Sequence, residues 1–324
     1  MAKAVRIHQY GGPEVMSYED VEVGDPGPGE VRIRHTAIGV NFIDTYFRTG
    51  AYPANALPFV LGNEAAGEVV AVGADVADLK RGDRVAYVIT LGAYSEERIA
   101  PAKSVVKLPE GVQDETAAAM MLKGMTAQYL LHRTYKVKPG DTILFHAAAG
   151  GVGLIACRWA KHLGATVIGT AGSKDKAKLA RDNGCDHVIL YREEDFAARV
   201  KEITKGGLCD VVYDGVGKAT FPGSLDCLKP FGMFVSFGSA SGPVDAFNIG
   251  VLAQKGSLYA TRPTLNTHTA KRETLDEIAA SLFQAVTSGA VEIAIHQRAK
   301  LSQAADVHRA LEGRETTGAT ILLP

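Results

Sequence analysis

The stretch between residues 142 and 163 constrains this chain more than any other. An apolar, strand-forming run, Thr142-Ile143-Leu144-Phe145-His146-Ala147, leads into Ala148-Ala149-Gly150-Gly151-Val152-Gly153. That turn opens a segment in which Ile155, Trp159 and Leu163 recur every four residues, which puts them on one face of a helix. Strand, glycine turn and helix in that order make up the dinucleotide-binding fingerprint, with Ala148 where its first glycine usually stands. Gly150 lets backbone approach a pyrophosphate, and Gly153 lets the helix pack close to the strand. The exposed N–H groups at the helix start then meet the phosphate charge.

The surrounding residues supply the context this turn needs. Strands are expected at 142–147, 166–171, 187–190, 210–213 and 233–237, with Leu258-Tyr259-Ala260 as a sixth. Helices are expected at 152–163, over the Lys/Ala-rich stretch after it, and at 193–204, with one more between the last two long strands. Such alternation predicts a parallel sheet covered on both faces. Upstream, short β runs such as 31–36, 67–72 and 84–88 alternate with turns such as Gly11-Gly12-Pro13 and Arg81-Gly82-Asp83, the pattern of an antiparallel barrel or sandwich. The tail carries a helical pattern at 274–288, a short run at 293–295, a second helix at 302–312 and a last strand at 319–323.

A chain of 324 residues accommodates two domains. We expect a β-rich catalytic domain at 1–121, a Rossmann domain at 122–262, and a segment at 263–324 that returns to the first. The 35 Lys and Arg against 36 Asp and Glu leave a net charge of −1, with no basic run, so no nucleic-acid footprint is expected. Neither a signal-peptide core nor an apolar run of the roughly 18 residues a membrane span requires is visible. Cys157, Cys185, Cys209 and Cys227 never form a C-x-x-C pair and are expected to be free, buried thiols. These features predict a soluble, cytoplasmic protein.

Folds of this type that prefer NAD carry an Asp or Glu at the end of the second strand, where it binds the ribose hydroxyls. Here Gly172-Ser173-Lys174-Asp175-Lys176 stands there, and Gly172 follows Gly153 by 19 residues (172 minus 153), the offset at which the acid is expected. A small residue, a hydroxyl and two ammonium groups suit a 2′-phosphate, which a carboxylate would repel. NADPH is therefore expected over NADH. A catalytic zinc needs three ligands from Cys, His and carboxylate. The nine histidines are dispersed, residues 1–121 hold no cysteine, and no metal is expected. His146 is expected to be a hydrogen-bonded interior histidine.

The loop 147–153, together with Asn41-Phe42-Ile43-Asp44-Thr45-Tyr46, Gly62-Asn63-Glu64-Ala65-Ala66-Gly67, Lys123-Gly124-Met125-Thr126, Tyr191-Arg192-Glu193-Glu194-Asp195 and Val235-Ser236-Phe237-Gly238, resembles the medium-chain dehydrogenase/reductase superfamily. More narrowly, the chain resembles the zinc-free NADPH:quinone oxidoreductases related to ζ-crystallin, over essentially its whole length. The resemblance implies an α/β architecture: a GroES-like β-barrel catalytic domain plus a doubly wound Rossmann sheet. It also implies that Asn41, Asn63 and Lys123 stand where zinc-dependent relatives place Cys, His and Cys ligands, with Asp44 and Glu64 kept as hydrogen-bonding companions.

By the same resemblance Asn41, Asp44, Lys123 and Thr126 belong near the nicotinamide and its ribose, and Gly150, Gly151, Val152 and Gly153 at the pyrophosphate. Gly172, Ser173, Lys176 and Tyr191 belong around the adenosine and its 2′-phosphate, while Phe237, Gly238, Ser239 and Arg314 close the cofactor pocket. Tyr46 and Tyr52, on either side of the turn Arg48-Thr49-Gly50, match positions in the substrate cleft, where with Asn41 they would position a planar acceptor. A homodimer paired through an edge strand at 256–261 is implied as well. Three functions stay open on these grounds: a quinone reductase, an NADPH-dependent reductase of activated alkenes, and a non-catalytic NADPH-binding protein of crystallin or RNA-associating type.

Overall fold

The structure, a computed structural model, describes every residue from Met1 to Pro324. Eight strands come first: β1 (Ala2–Ile7), β2 (Met16–Val21), β3 (Glu30–Val40), β4 (Phe59–Val60), β5 (Glu64–Val72), β6 (Arg84–Val88), β7 (Glu97–Pro101) and β8 (Val105–Lys107). Six more occupy the centre of the chain: β9 (Thr142–Phe145), β10 (Thr166–Ala171), β11 (His187–Leu190), β12 (Cys209–Asp214), β13 (Leu228–Ser236) and β14 (Tyr259–Thr261). Two close it, β15 (Ile295–Lys300) and β16 (Ala319–Leu323). The chain forms two compact units. One comprises Met1–Met125, Thr269–Thr287 and Ile293–Pro324, the other Thr126–His268 and Ser288–Glu292.

In the first unit β15-β16-β3-β5-β6-β8 form one sheet, with β7 also paired to β3, and β2-β1-β4 form another. β3 shows why: Val31, Ile33, His35 and Ala37 are buried in strict alternation, the period of a strand with one face in a core. Both sheets supply that core, Val5 and Ile7 from β1 meeting Ile33, Ile38, Val69 and Val85. The tail contributes Leu301, Val307 and Leu322 to the same cluster. The strand expected at 293–295 instead spans Ile295–Lys300, with mostly exposed side chains. It is an edge strand defined by its pairing with β16, so it lacks the apolar run that marks a buried strand.

The second unit has six parallel strands in the order β11-β10-β9-β12-β13-β14, the doubly wound arrangement with its switch point beside β9. β12 is buried almost without interruption, as a strand covered on both faces must be. Several element boundaries differ from expectation for local reasons. β9 stops at Phe145 because Ala147 takes a left-handed backbone (φ 55°) that no strand continues through. The helix expected from residue 193 starts at Phe196, because Asp195 caps it, its carboxylate accepting from the N–H groups of Ala197 and Ala198 at 2.9 and 3.0 Å. β13 begins five residues early, through Pro230 and a left-handed Phe231, where a register shift against β12 absorbs the irregularity.

Candidate active site

The phosphate turn is built from the backbone up. The helix Gly151–His162 starts after Gly150, and Leu154 N–H to Gly150 O is the first bond of its ladder, so the N–H groups of residues 151–153 have no intrahelical acceptor. Left-handed Ala147 turns the chain, and its carbonyl takes the Gly150 N–H at 2.9 Å. A Cβ on Gly153 would lie 2.6 Å from the carbonyl oxygens of both Ala147 and Ala148, so only glycine lets the helix sit this close to the strand end. Thr170 Oγ1 and O, at the end of β10, bind the N–H groups of Ala147 and Ala148 and hold the turn against the second strand.

Beyond β10, Gly172 and Tyr191 are neighbours: a Cβ on Gly172 would meet the Tyr191 hydroxyl at 2.7 Å. Ser173 caps the helix Lys174–Asp182, its hydroxyl oxygen accepting from Lys176 N–H at 3.4 Å. This leaves the hydroxyl proton of Ser173 as a donor. Ser173 and Tyr191 are exposed, and Lys176 lies on the first turn of the same helix. Gly238 approaches the Asp214–Gly217 turn so closely that a Cβ there would lie 2.6 Å from Gly215 O, and Phe237 packs on Phe145 at 5.6 Å. Ser239 follows, and Arg314 follows the helix Ala304–Glu312 with a left-handed backbone (φ 60°).

Under the same unit's sheet ends lies a buried polar trio. His146 Nε2 is 3.0 Å from Ser224 Oγ, which is 3.1 Å from Asp214 Oδ2, and His146 Nδ1 faces Thr170 Oγ1 at 3.2 Å. Burial holds the His146 imidazole below its usual pKa range. The order is wrong for a nucleophilic triad, since the carboxylate orients the serine and not the histidine, and all three side chains are inaccessible. Asp214 also accepts from the N–H groups of Val216 and Gly217, so the trio fixes the loop against which Gly238 packs.

The first unit holds a denser network. Asn41 precedes the helix Phe42–Thr49, and its N–H donates to Asp44 Oδ2 at 2.9 Å. That helix runs to Thr49 and stops at left-handed Gly50 (φ 82°), so Arg48 and Thr49, expected as turn residues, are helical. Asn63 donates to Asp44 Oδ1 at 2.8 Å and Tyr94 to Oδ2 at 3.0 Å. Asp44 is fully buried with both oxygens engaged, so it can act on a ligand only through Asn41 and Asn63. Burial pushes its carboxyl up to about 6 despite the three donors.

Glu64 Oε1 accepts from Asn41 Nδ2 at 2.6 Å and from Lys123 Nζ at 3.0 Å, and Oε2 accepts from Leu122 N–H at 2.5 Å. Lys123 also donates to Asn41 Oδ1 at 2.8 Å and Val40 O at 3.0 Å. Asn41 is thereby clamped, its amide donating to one companion and its carbonyl accepting from the other. Asn41, Asp44, Asn63, Glu64 and Lys123, far apart in sequence, are brought together. Thr126 lies three residues beyond Lys123 on the helix Asp114–Tyr129 and opens the second unit.

Behind Asp44 the network continues through residues that the sequence did not single out. Arg48 donates from one Nη to His308 Nδ1 at 2.9 Å, so His308 carries its proton on Nε2 and donates to Tyr94 Oη at 3.0 Å. Tyr94 in turn donates its hydroxyl hydrogen bond to Asp44. Arg48, 1% exposed, also pairs with Glu312 at 2.7 Å and donates to Gly11 O. Burial and the adjacent guanidinium hold His308 down at about 3. Separations of 214 and 260 residues between partners explain why no local pattern marked them. Tyr46 and Tyr52 pack at a tilt, 5.1 Å between ring centres, and with Phe42 and Phe47 form an aromatic cluster on the same helix and its exit.

Comparison with known proteins follows these features closely. Residues 27–110 match the alcohol dehydrogenase GroES-like domain and residues 151–280 the zinc-binding dehydrogenase family. The chain is 55% identical to a quinone oxidoreductase of Pseudomonas aeruginosa, with all of both chains covered. It is 49% identical to a 2-haloacrylate reductase of a Burkholderia species, over all of this chain and 99% of that one. It superposes on the crystal structure of the Escherichia coli quinone oxidoreductase complexed with NADPH with a TM-score of 0.98, at 48% identity and full coverage of both. A doubly wound unit with a glycine phosphate turn, joined to a GroES-like unit of the same descent, places the chain in the quinone oxidoreductase family of the medium-chain dehydrogenase/reductase superfamily.

Proposed function

We infer that this protein transfers hydride from NADPH to a quinone. The observation that carries the reading is the turn at 147–153 followed by a β10 end without a carboxylate: a cradle that a Cβ at Gly153 would fill, then Gly172, Ser173 and Lys176. That cradle fits a dinucleotide. Gly150, Gly151, Val152 and Gly153 would hold the pyrophosphate, and Gly172, Ser173, Lys176 and Tyr191 the adenosine and 2′-phosphate. Asn41, Lys123 and Thr126 would face the nicotinamide end, and Phe237, Gly238, Ser239 and Arg314 would close over it. When bound, NADPH supplies the hydride, and the protein supplies position. The clamp on Asn41 keeps its carboxamide in one orientation, and the Tyr46–Tyr52 pair offers aromatic faces and hydroxyls to a planar acceptor. A quinone needs no Lewis acid to accept hydride, and the one proton that completes the hydroquinone comes from water.

The cluster around Asn41 does not fit zinc. Its donors at the ligand positions are two carboxamides and an ammonium, and the Lys123 charge already occupies the centre, 3.0 Å from Glu64. No step is therefore routed through a metal. We assign the pyrophosphate and adenosine ends of NADPH to the second unit. We also propose a homodimer in which the exposed edge strand β14 pairs with its mate. No helix is long and apolar enough to cross a membrane, and the four free, buried cysteines fit a reducing, cytoplasmic setting.

The deciding experiment is NADPH oxidation against a panel of quinones and α,β-unsaturated carbonyl compounds. Turnover of quinones supports the reading. Turnover restricted to activated alkenes favours the second one, an alkene reductase, for which the 49% identity to a 2-haloacrylate reductase speaks. Saturable NADPH binding with no acceptor reduced would leave a binding protein.

A further inference from the structure

The second unit contains a cavity of about 610 Å³ whose lining includes Phe234, Ser236, Ser239, Phe247, Ala260 and Arg262. That volume lies within the range of small-molecule sites, roughly 300–1,000 Å³. Phe234 and Ala260 are register partners in β13 and β14, so they point to one face of the sheet. Ser236 ends β13 two residues later on that face, Arg262 follows the end of β14, and both line the cavity at the carboxyl ends of the two strands. Ligands of a doubly wound sheet bind outside the carboxyl ends, with the two halves of a dinucleotide over the two halves of the sheet. The β9–β11 half carries the phosphate turn and the 2′-phosphate positions, so the β12–β14 half belongs to the nicotinamide and the acceptor.

Arg262 is the unusual member of this lining. It is exposed, and its side chain makes a single weak hydrogen bond, to Pro263 O at 3.3 Å. The cavity's own carboxylate, Asp245, is engaged by Lys218 at 2.9 Å. Phe234, Phe247, Ala260, Pro243 and Val244 make the rest of the wall largely apolar. A guanidinium so placed is matched by a planar anion, which it can bind through two parallel N–H donors. The Arg262 charge also reaches the phenol of Tyr129, on the helix that carries Thr126.

We propose that this cavity selects acceptors carrying a carboxylate, with Arg262 as the residue that binds it. The preferred substrates are then quinones or activated alkenes bearing an anionic group. The inference rests on the oxidoreductase reading above and deepens it. Arg262 is a specificity residue, and the hydride step needs nothing from it.

A matched pair tests it: a 1,4-benzoquinone bearing a carboxymethyl arm, and its methyl ester. Wild-type enzyme should show a higher kcat/KM for the acid. Arg262→Gln should lower the acid-to-ester ratio about ten- to hundredfold, the value of a charge-assisted hydrogen bond, and Arg262→Lys should retain part of it. Added salt should weaken the acid's kcat/KM and leave the ester's unchanged, a readout on wild type that holds even if a variant folds poorly. Equal kcat/KM for acid and ester, or an unchanged ratio in Arg262→Gln, overturns the proposal. If neither compound oxidises NADPH, the oxidoreductase reading fails. Calorimetric titration of the reduced acid into wild type and Arg262→Gln then decides the site by itself, equal affinities counting against it.

Discussion

Replacing Lys123 by Met tests the central cluster of the first unit. The change keeps the aliphatic stem and removes an ammonium that is 6% exposed, beside a carboxylate that is 0% exposed. At 3.0 Å the Lys123–Glu64 attraction is about 5–6 kcal/mol with an effective dielectric of 20. Part of this is offset, because the variant no longer has to desolvate an ammonium. Glu64 retains the Asn41 amide and the Leu122 N–H, so its charge stays half-compensated rather than bare. The expected net loss is about 3–5 kcal/mol, the cost of orphaning one member of a buried pair. For a unit of this size that lowers the melting temperature by about 10 °C. The assay is calorimetric melting at about pH 7.5 of wild type, Lys123→Met, Glu64→Gln and the double variant. Glu64→Gln in the Lys123→Met background should recover part of the loss, since it removes the uncompensated buried charge and its single carboxamide oxygen still accepts from Leu122 N–H. A drop below about 2 °C in the single variant, or a double variant less stable than Lys123→Met, would show that the pair does not hold the cluster together.

Gly153→Ala puts a methyl 2.6 Å from two carbonyl oxygens, an overpacking of about 1–3 kcal/mol. NADPH affinity should fall about tenfold or more in a fluorescence titration, and an unchanged Kd would remove the turn from the binding site. Lys176→Gln should raise the Kd of NADPH about tenfold and spare NADH, because only NADPH has the extra phosphate; equal changes for both would refute the assignment. Acid stability should follow the interior histidines. His308 titrates at about 3 and His35 at about 4 when folded, against about 6.5 unfolded, so each contributes stability above pH 6.5 that is lost as the pH falls. Asp44 works oppositely, its folded value of about 6 lying above its unfolded one. His308 by itself leaves one extra proton on the unfolded chain between pH 6 and 4, a loss of about 1.4 kcal/mol per pH unit, and His35 and His146 act in the same sense. His308→Gln should reduce the pH slope by about 1.4 kcal/mol per pH unit in denaturant titrations, and a slope equal to wild type would contradict the buried, neutral imidazole.

The order of strands and helices between residues 142 and 261 was legible because its signals are local. Apolar runs, glycine at fixed offsets and helical periodicity act within a few residues. The missing acid after β10 was legible for the same reason. The edge strand β15 was not: it is a strand through its pairing with β16, and its exposed side chains carry no pattern. Nor was the helix Phe42–Thr49 visible, because its polar Asp44, Thr45 and Arg48 are its buried residues, the reverse of the usual amphipathic sign.

By itself, then, the sequence determined the parallel sheet, the glycine turn and the absence of an acid at the ribose, and its resemblance to a known family pointed to Asn41, Asp44, Glu64 and Lys123. Only the tertiary structure decided what that set does: a lysine neutralises a buried glutamate and clamps an asparagine, and Asp44 is tied through Tyr94 to His308 and Arg48 from opposite ends of the chain. The physical reason is that a buried polar group must find a partner wherever the fold provides one, and that partner's place in the sequence is free.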